Sequence, residues 1–145
     1  VMTLQAEIIQ KYGGDIDKFV GDELMAVFEG EDMVKRAADA ALEIKNEMKK
    51  IYKYEKVPVY VGIGINTGEM IAGNMGSKDR IDRTVIGHAV NLGARLCSIA
   101  GKNTIVVSGF SYTYIQDKFL FKKQTPVNVK GKEKAVNVYT LQGAL

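Results

Sequence analysis

The chain has 145 residues, of which 46% are hydrophobic and 26% are charged, and its net charge is +3. This length suits one domain with its own core, and we predict a single domain over residues 1–145. The mild charge, without basic runs interleaved with aromatic residues, excludes a typical nucleic-acid binder, and no apolar stretch is long enough to span a bilayer. The one cysteine, Cys97, excludes an internal disulfide and fits a reducing cytoplasm, which is the predicted location.

In the first third of the chain, apolar spacing predicts a helix, a two-stranded hairpin and a longer helix, at residues 1–12, 15–20 with 23–28, and 31–52. Gly13-Gly14 ends the first helix, and Gly21-Asp22 is a strong turn pair between the two strands. The long helix has acidic residues at its start, lysines at its end and an apolar stripe for burial.

The rest of the chain alternates between strands and helices. Residues 59–65 predict a strand whose glycines alternate with β-branched residues, so one face should pack closely against another backbone. The pattern then predicts a strand at 69–73, an exposed polar hairpin arm at 75–82, a short strand at 83–86 and a helix at 88–100. A strand at 105–107, a short helix at 110–115 and a final hairpin at 118–142 that turns near Gly131 follow. Interleaved helices and hairpins predict an α+β or α/β fold with a mixed sheet.

Asp22 is the first candidate functional residue, because it occupies the predicted hairpin turn. A carboxylate on a hairpin tip is rigid and partly exposed, and its oxygens suit a hard cation such as Mg²⁺. The alternative is that Asp22 is present only because turns favour aspartate. The dipeptide alone favours that alternative.

Asn91 and Arg95 are the second candidate pair. They are four residues apart in a predicted helix, so they project from the same face. An amide beside a guanidinium suits a phosphate-bearing ligand, because arginine can donate two parallel hydrogen bonds to a phosphate. The alternative is a solvated polar stripe on an amphipathic helix.

Two long runs, Gly14 to Phe28 and Thr84 to Leu96, resemble the class III nucleotidyl cyclases in order and spacing. The strand between them, Gly-Ile-Gly-Ile-Asn-Thr-Gly, also matches, and Val129 to Lys132 fit the closing hairpin of that family. The resemblance covers nearly the whole chain. It implies an α+β, ferredoxin-like or palm-type mixed sheet with helices packed on it, and adenylate cyclase activity in intracellular signalling.

The resemblance also implies a homodimer arranged head to tail, with ATP and two Mg²⁺ or Mn²⁺ ions at the interface. Asp22 would be one of two metal-binding aspartates from one protomer. Lys18 and Thr84 would come from the partner and read the adenine edge, since lysine only donates and threonine can accept. A guanine-reading site in this family usually carries glutamate and cysteine there, so adenine is the favoured base.

The remaining roles concern the sugar and the phosphates. By the same resemblance, Asn91 would orient the ribose, Arg95 would stabilise charge on the phosphates, and Lys130 would meet the triphosphate. The reaction is an in-line attack of the ribose 3′-hydroxyl on the α-phosphorus, which releases pyrophosphate. Positioning, metal ions and cationic donors supply most of the catalysis, so no catalytic histidine or cysteine is needed.

Two departures from the family pattern stand out. The strand that carries the first metal aspartate would precede the helix at residues 1–12 and is absent, so we expect an N-terminally truncated domain that is poorly active by itself. The alternative is that a second protomer fills the gap by exchange. Upstream sensor or regulatory domains are expected in the full-length protein, whereas the sequence does not indicate whether that protein is attached to a membrane. His88 replaces the usual Asp or Asn, and we expect a modest effect on helix capping or dimer contact.

Three other functions remain open at this point. A cyclase-like regulatory or dimerisation module without turnover is favoured by the missing metal strand and opposed by the retained site residues. A diguanylate cyclase has a similar hairpin around Asp22 but lacks the helix segment with Asn91 and Arg95, and a polymerase palm is less similar still.

Overall fold

The computed structural model describes residues 2–55, 60–68, 71–77, 80–128 and 135–145, which form four helices and eight strands. In chain order the elements are α1 (Met2–Lys11), β1 (Asp15–Val20), β2 (Glu23–Val27), α2 (Met33–Glu55), β3 (Gly62–Ile65), β4 (Ile71–Ser77), β5 (Arg80–Ile86), α3 (His88–Ile99), β6 (Thr104–Ser108), α4 (Gly109–Ile115), β7 (Phe119–Lys123) and β8 (Val138–Ala144).

The first helix and hairpin form as the sequence predicted. α1 ends where Gly13 adopts a φ of 83°, a left-handed conformation that glycine takes without strain. β1 and β2 pair antiparallel and turn through Gly21, whose φ is 59°. Arg36 on α2 joins these pieces, because its guanidinium donates to the carbonyl oxygens of Tyr12 at 3.1 Å and Glu29 at 2.6 Å.

The main sheet has four strands in the order β3-β6-β8-β7. β3 runs parallel to β6, and β8 is antiparallel to both β6 and β7, so the predicted mixed sheet is present. The β1–β2 and β4–β5 hairpins share no backbone ladder with it within the described residues. α2 contacts both the main sheet and the first hairpin and so links them. The α+β class is confirmed.

Three apolar clusters form the core. The first lies between α2, α4 and the main sheet, and its most deeply buried members are Ala38, Ile105, Val107, Ile115 and Leu141. The second joins α1 and α2 to the hairpin, around Ile8, Ile9, Ala40, Ile44 and Met48. The third lies beneath α3 and is built by Leu92, Leu96, Val106, Val136 and Val138. Each helix therefore buries one apolar stripe, as its spacing predicted.

Several predicted boundaries were wrong. α2 begins at Met33 rather than at residue 31, because Asp32 has a φ of 55°, and it continues to Glu55. The hairpin arm predicted at 75–82 is confirmed, but the ladder is longer and takes in the strands predicted at 69–73 and 83–86, because β4 and β5 pair antiparallel from Ile71 with Ile86 to Ser77 with Arg80. Backbone hydrogen bonds extend this hairpin without the apolar alternation on which strand prediction depends.

The strand predicted at 59–65 is described only over Gly62–Ile65, and residues 56–59 and the turn expected near Gly131 lie outside the described residues. None of the described helices combines the length and apolar composition required to cross a membrane.

Candidate functional site

α3 is held against β3 by direct backbone packing. A Cβ atom added to Gly64 would lie 2.7 Å from the carbonyl oxygen of Gly93, so only glycine allows the helix to sit this close. Leu92 and Leu96 are buried beneath the helix, at 2% and 0% exposure. The close packing predicted for the glycine-rich strand is therefore confirmed, and its partner is the helix that carries Asn91 and Arg95.

A buried polar network fixes the start of α3. The side-chain amide of Asn66, just after β3, donates to the carbonyl oxygen of Ala89 at 2.8 Å and accepts from the Ser108 hydroxyl at 2.7 Å. Thr67 and Ser111 share a second hydrogen bond of 2.7 Å. Because Asn66 is paired on both ends of its amide, it fixes the first turn of the helix relative to β3 and β6. Sequence reasoning missed this role.

Asn91 and Arg95 both lie on the exposed face of α3. The helix is anchored by buried leucines and by the Asn66 bond, so the exposed pair projects from a rigid support. The predicted one-face arrangement of the amide and the guanidinium follows from their spacing of four on an observed helix.

The hairpin tip carries Asp22, which is exposed at the turn between β1 and β2. Burial raises the pKa of the Cys97 thiol on α3, and the negative charges of Glu23 and Asp22 raise it further. Cys97 itself is half-buried, and its thiol donates weakly to the carbonyl oxygen of Gly62 at 3.5 Å.

Lys18 lies on β1 and is partly exposed, with its ammonium 3.6 Å from Oδ2 of Asp17. The Asp17 side chain is only 1% exposed, and neither of its carboxylate oxygens accepts a hydrogen bond from the described residues. Sequence reasoning treated Asp17 as an ordinary strand residue. The main feature of the site that the sequence did not predict is therefore this buried carboxylate beside Lys18, the candidate base-reading residue.

Thr84 lies on β5, opposite Gly73 in the β4–β5 ladder. β5 packs against β1, which carries Lys18, and against α3, which carries Asn91 and Arg95. The structure therefore brings the strand of Thr84, the strand of Lys18 and the Asn91/Arg95 helix together within one chain. Lys130 lies outside the described residues.

His88 is the first residue of α3 and is exposed. The cap position is Gly87, which has no side chain, so the expected effect of His88 on helix capping was wrong, and its expected effect on dimer contact stays a prediction. A glycine with a φ of 142° lets the chain turn sharply from β5 into α3.

The sequence model of the adenylate and guanylate cyclase catalytic domain matches residues 4–143. The chain belongs to this family. The resemblance read from the two long runs is thus confirmed.

Individual relatives agree with the family match. A terminal-differentiation-specific adenylate cyclase of Dictyostelium discoideum is 37% identical over 138 residues, which cover 88% of this chain and 6% of that relative. The solved structure of the adenylyl cyclase CyaB from P. aeruginosa matches with a TM-score of 0.86 and 30% identity, over 97% of this chain and 78% of that one. The structure of the guanylyl cyclase Cya2 matches with a TM-score of 0.85 and 28% identity, over 99% and 77%.

Asp22 is the one predicted metal ligand of the cyclase domain. Asp22 presents an exposed carboxylate, which is the oxygen chemistry that Mg²⁺ prefers. In the part of the chain that the structure describes, there is no cluster of three or more His, Cys, Asp or Glu side chains able to hold a metal ion. Asp22 by itself does not fit a two-ion site.

Proposed function

We propose that the cyclase domain converts ATP to 3′,5′-cyclic AMP and pyrophosphate in intracellular signalling. The observation that carries this proposal is the packing of β5, with Thr84, against β1, with Lys18, and against the Asn91/Arg95 helix. These are the residues that an adenine-reading, phosphate-binding site requires, and they lie on adjoining elements. The adenylate cyclase names of similar proteins support the same substrate.

Base choice follows from the donor and acceptor inventory of two side chains. The Lys18 ammonium can only donate, so it matches N1 of adenine, which accepts. The Thr84 hydroxyl can accept from the exocyclic amine of adenine. Guanine presents a donor at N1, which the Lys18 ammonium cannot accept, so these two donors would face each other unmatched. The Thr84 hydroxyl can also donate to the exocyclic oxygen of guanine, so the discrimination depends mainly on Lys18. Mismatches of this kind discriminate strongly between substrates.

Chemistry at phosphorus requires positioned charge rather than a nucleophilic side chain. The 3′-hydroxyl of the ribose gives up its proton to solvent water and its oxygen forms a bond to the α-phosphorus. The bond from that phosphorus to the bridging oxygen breaks, and pyrophosphate leaves with that electron pair. Asn91 orients the ribose so that this attack is in line. Arg95 donates to phosphate oxygens as their negative charge grows, and Lys130 contacts the triphosphate.

Magnesium or manganese is the proposed cofactor, with Asp22 as one of its ligands. A divalent ion supplies charge neutralisation at the phosphates when it is bound. We also propose a head-to-tail homodimer in which Asp22 of one protomer faces the base-reading residues of its partner. This arrangement supplies each site with side chains from both chains.

A regulatory module that keeps the fold without turnover is the second candidate. The observation in its favour is that the described residues contain no cluster of metal-binding side chains. Retention of Lys18, Thr84, Asn91 and Arg95 opposes it, because a module without substrate has no need of a base-reading pair or a phosphate-binding helix.

The deciding assay incubates the full-length natural protein with ATP or GTP and with Mg²⁺ or Mn²⁺, and measures both cyclic nucleotides. The proposal predicts cyclic AMP from ATP, dependent on the metal ion, and much less cyclic GMP from GTP. Cyclisation of GTP alone would overturn the roles of Lys18 and Thr84. No product from either nucleotide would favour the regulatory module.

A further inference from the structure

Asp17 occupies a β-bulge in the first hairpin. Ile16 pairs with Ala26, and Lys18 pairs with Met25, so Asp17 is an extra residue without a partner in the β1–β2 ladder. A bulge interrupts the alternation of side chains and re-aims them, and bulges are common next to active sites. Here the bulge places the side chains of two consecutive residues, Asp17 and Lys18, close to each other.

The Asp17 carboxylate is in an unfavourable position if it has no function. Its side chain is 1% exposed, and within the described residues neither oxygen receives a hydrogen bond. Burying an ionised carboxylate without hydrogen bonds is costly, and an unsatisfied buried polar group needs an explanation. The one charge of opposite sign that the described residues bring within 4 Å is the Lys18 ammonium.

The distance between these two groups is informative. Nζ of Lys18 lies 3.6 Å from Oδ2 of Asp17, beyond the roughly 2.7–2.9 Å of a charge-assisted hydrogen bond. The carboxylate therefore attracts the ammonium without using one of its donors. Within the described residues the ammonium makes no other ion pair, and its side chain stays 41% exposed, so a ligand can reach it.

We propose that Asp17 is a positioning residue that sets base specificity by holding the Lys18 ammonium at the purine edge. The inference rests on the proposed function. A lysine has a long, flexible stem, and by itself it could swing away from a guanine N1–H donor. Attraction to the fixed Asp17 carboxylate opposes that swing. The ammonium therefore remains at the purine edge with its N–H donors available to adenine N1. With guanine bound, it cannot move away from the N1–H donor, so guanine is disfavoured.

The test compares Asp17→Asn with wild-type protein, using kcat and KM for ATP and for GTP. Asparagine keeps the shape and removes the charge. We expect kcat/KM for ATP to fall about tenfold, mostly through a higher KM. This is the size of effect expected when the charge-assisted hydrogen bond from Lys18 to adenine N1 is weakened. GTP should be used as well as before or better. The ratio of the two kcat/KM values therefore changes, whereas a purely structural defect would lower both alike and leave the ratio unchanged.

Two further variants define the result. Asp39→Asn removes a carboxylate from an exposed ion pair with Lys35 on α2, and it should leave the ATP-to-GTP ratio unchanged. Lys18→Met should abolish the effect of Asp17→Asn on the ratio, because the carboxylate acts only through that ammonium. An unchanged ratio in Asp17→Asn, or an equal change in the Lys18→Met background, overturns the proposal.

A measurement without nucleotide separates this inference from the proposed function. Lys18→Met should lower the urea midpoint of unfolding more in wild-type protein than in Asp17→Asn, because it strips a buried carboxylate of its counter-charge. An equal decrease in both backgrounds would show that Asp17 does not hold Lys18. This result is obtained even if the wild-type protein cyclises GTP or neither nucleotide, the outcomes that reject the proposed function.

Discussion

Some residues of the candidate site could be predicted from their spacing in the sequence, whereas others matter because of where the fold buries them. Asn91 and Arg95 were predicted from a spacing of four, and the helix that carries them is observed. Asp17 was not predicted, because strict strand alternation gives no sign of the bulge that buries it. Asn66 was missed because its partners, Ala89 and Ser108, are distant in sequence.

Arg95→Ala should lower kcat by about 100-fold or more, the usual loss when one donor to a developing oxyanion is removed. Stability should hardly change, because Arg95 is exposed on α3. Steady-state kinetics and thermal unfolding measure the two effects. Ser98→Ala, an exposed change one turn further along the same helix, is the matched control and should leave kcat unchanged. A normal kcat in Arg95→Ala would exclude Arg95 from the reaction.

At the scale of the elements, close backbone packing of α3 against β3 positions the candidate site. β3 and α3 approach so closely that Gly64 has no room for a methyl group. The glycine-rich pattern predicted this approach, but it did not identify the helix on the other side. Only the fold shows that the same contact sets the position of the residues proposed to bind the ribose and phosphates.

Gly64→Ala should destabilise the domain by about 1–3 kcal/mol, because the added methyl group would overlap backbone atoms of α3 that cannot move independently. kcat should fall as well, since the helix is displaced. Gly143→Ala on β8 is the control, because a Cβ there has nothing within 4 Å and unfolding should shift by less than about 0.5 kcal/mol. Urea denaturation measures both. Equal stability of the two variants would contradict the packing account.

The contact between α1 and α2 should depend on pH. The hydrogen bond from Lys11, at 2.8 Å, lowers the pKa of Glu43, and Tyr12 donates to the same carboxylate at 3.0 Å. A lowered carboxyl pKa in the folded state gives stability that is present above the unfolded pKa and lost as pH falls through the folded pKa. The loss therefore occurs in the acid range, below the ordinary glutamate pKa of 4.5.

Glu43→Gln should accordingly show a smaller drop in Tm between pH 7 and pH 3 than wild-type protein. Glu47→Gln, which removes an ion pair with Lys50 inside α2 and only a minor charge interaction with Lys11, serves as the comparison. Thermal unfolding at the two pH values measures the difference. The effect should be small, because Lys11 is exposed and Glu43 is only partly buried, so solvent screens the pair. An identical drop in Glu43→Gln and wild-type protein would show that this contact does not contribute.

For the molecule as a whole, the fold was largely predictable and the assembly of the site was not. Apolar periodicity and glycine turns predicted each helix, the first hairpin and the mixed sheet, because these are local consequences of side-chain burial. The long β4–β5 ladder was underestimated, since backbone pairing leaves little trace in a polar sequence. Contact of β5 with both β1 and α3 is a tertiary property that no single segment encodes.

The proposed head-to-tail homodimer makes a prediction about mixed chains. Asp22→Ala and Arg95→Ala should each be inactive alone, but mixing them should restore part of the activity, because one of the two sites then receives both intact residues. The control is Asp22→Ala protein alone, assayed at the same total protein concentration as the mixture. Cyclic AMP production measures the rescue. Absence of rescue, with dimers confirmed by sedimentation, would argue against an interfacial site.

The most direct measurement of the central claim is the base preference of the double variant Lys18→Glu with Thr84→Cys. A glutamate accepts where lysine donates, so the pair no longer matches adenine N1 and instead accepts from guanine. We expect wild-type protein to prefer ATP, and the double variant to prefer GTP when kcat/KM is compared for the two nucleotides. A double variant that still prefers ATP would contradict the assignment of base reading to Lys18 and Thr84.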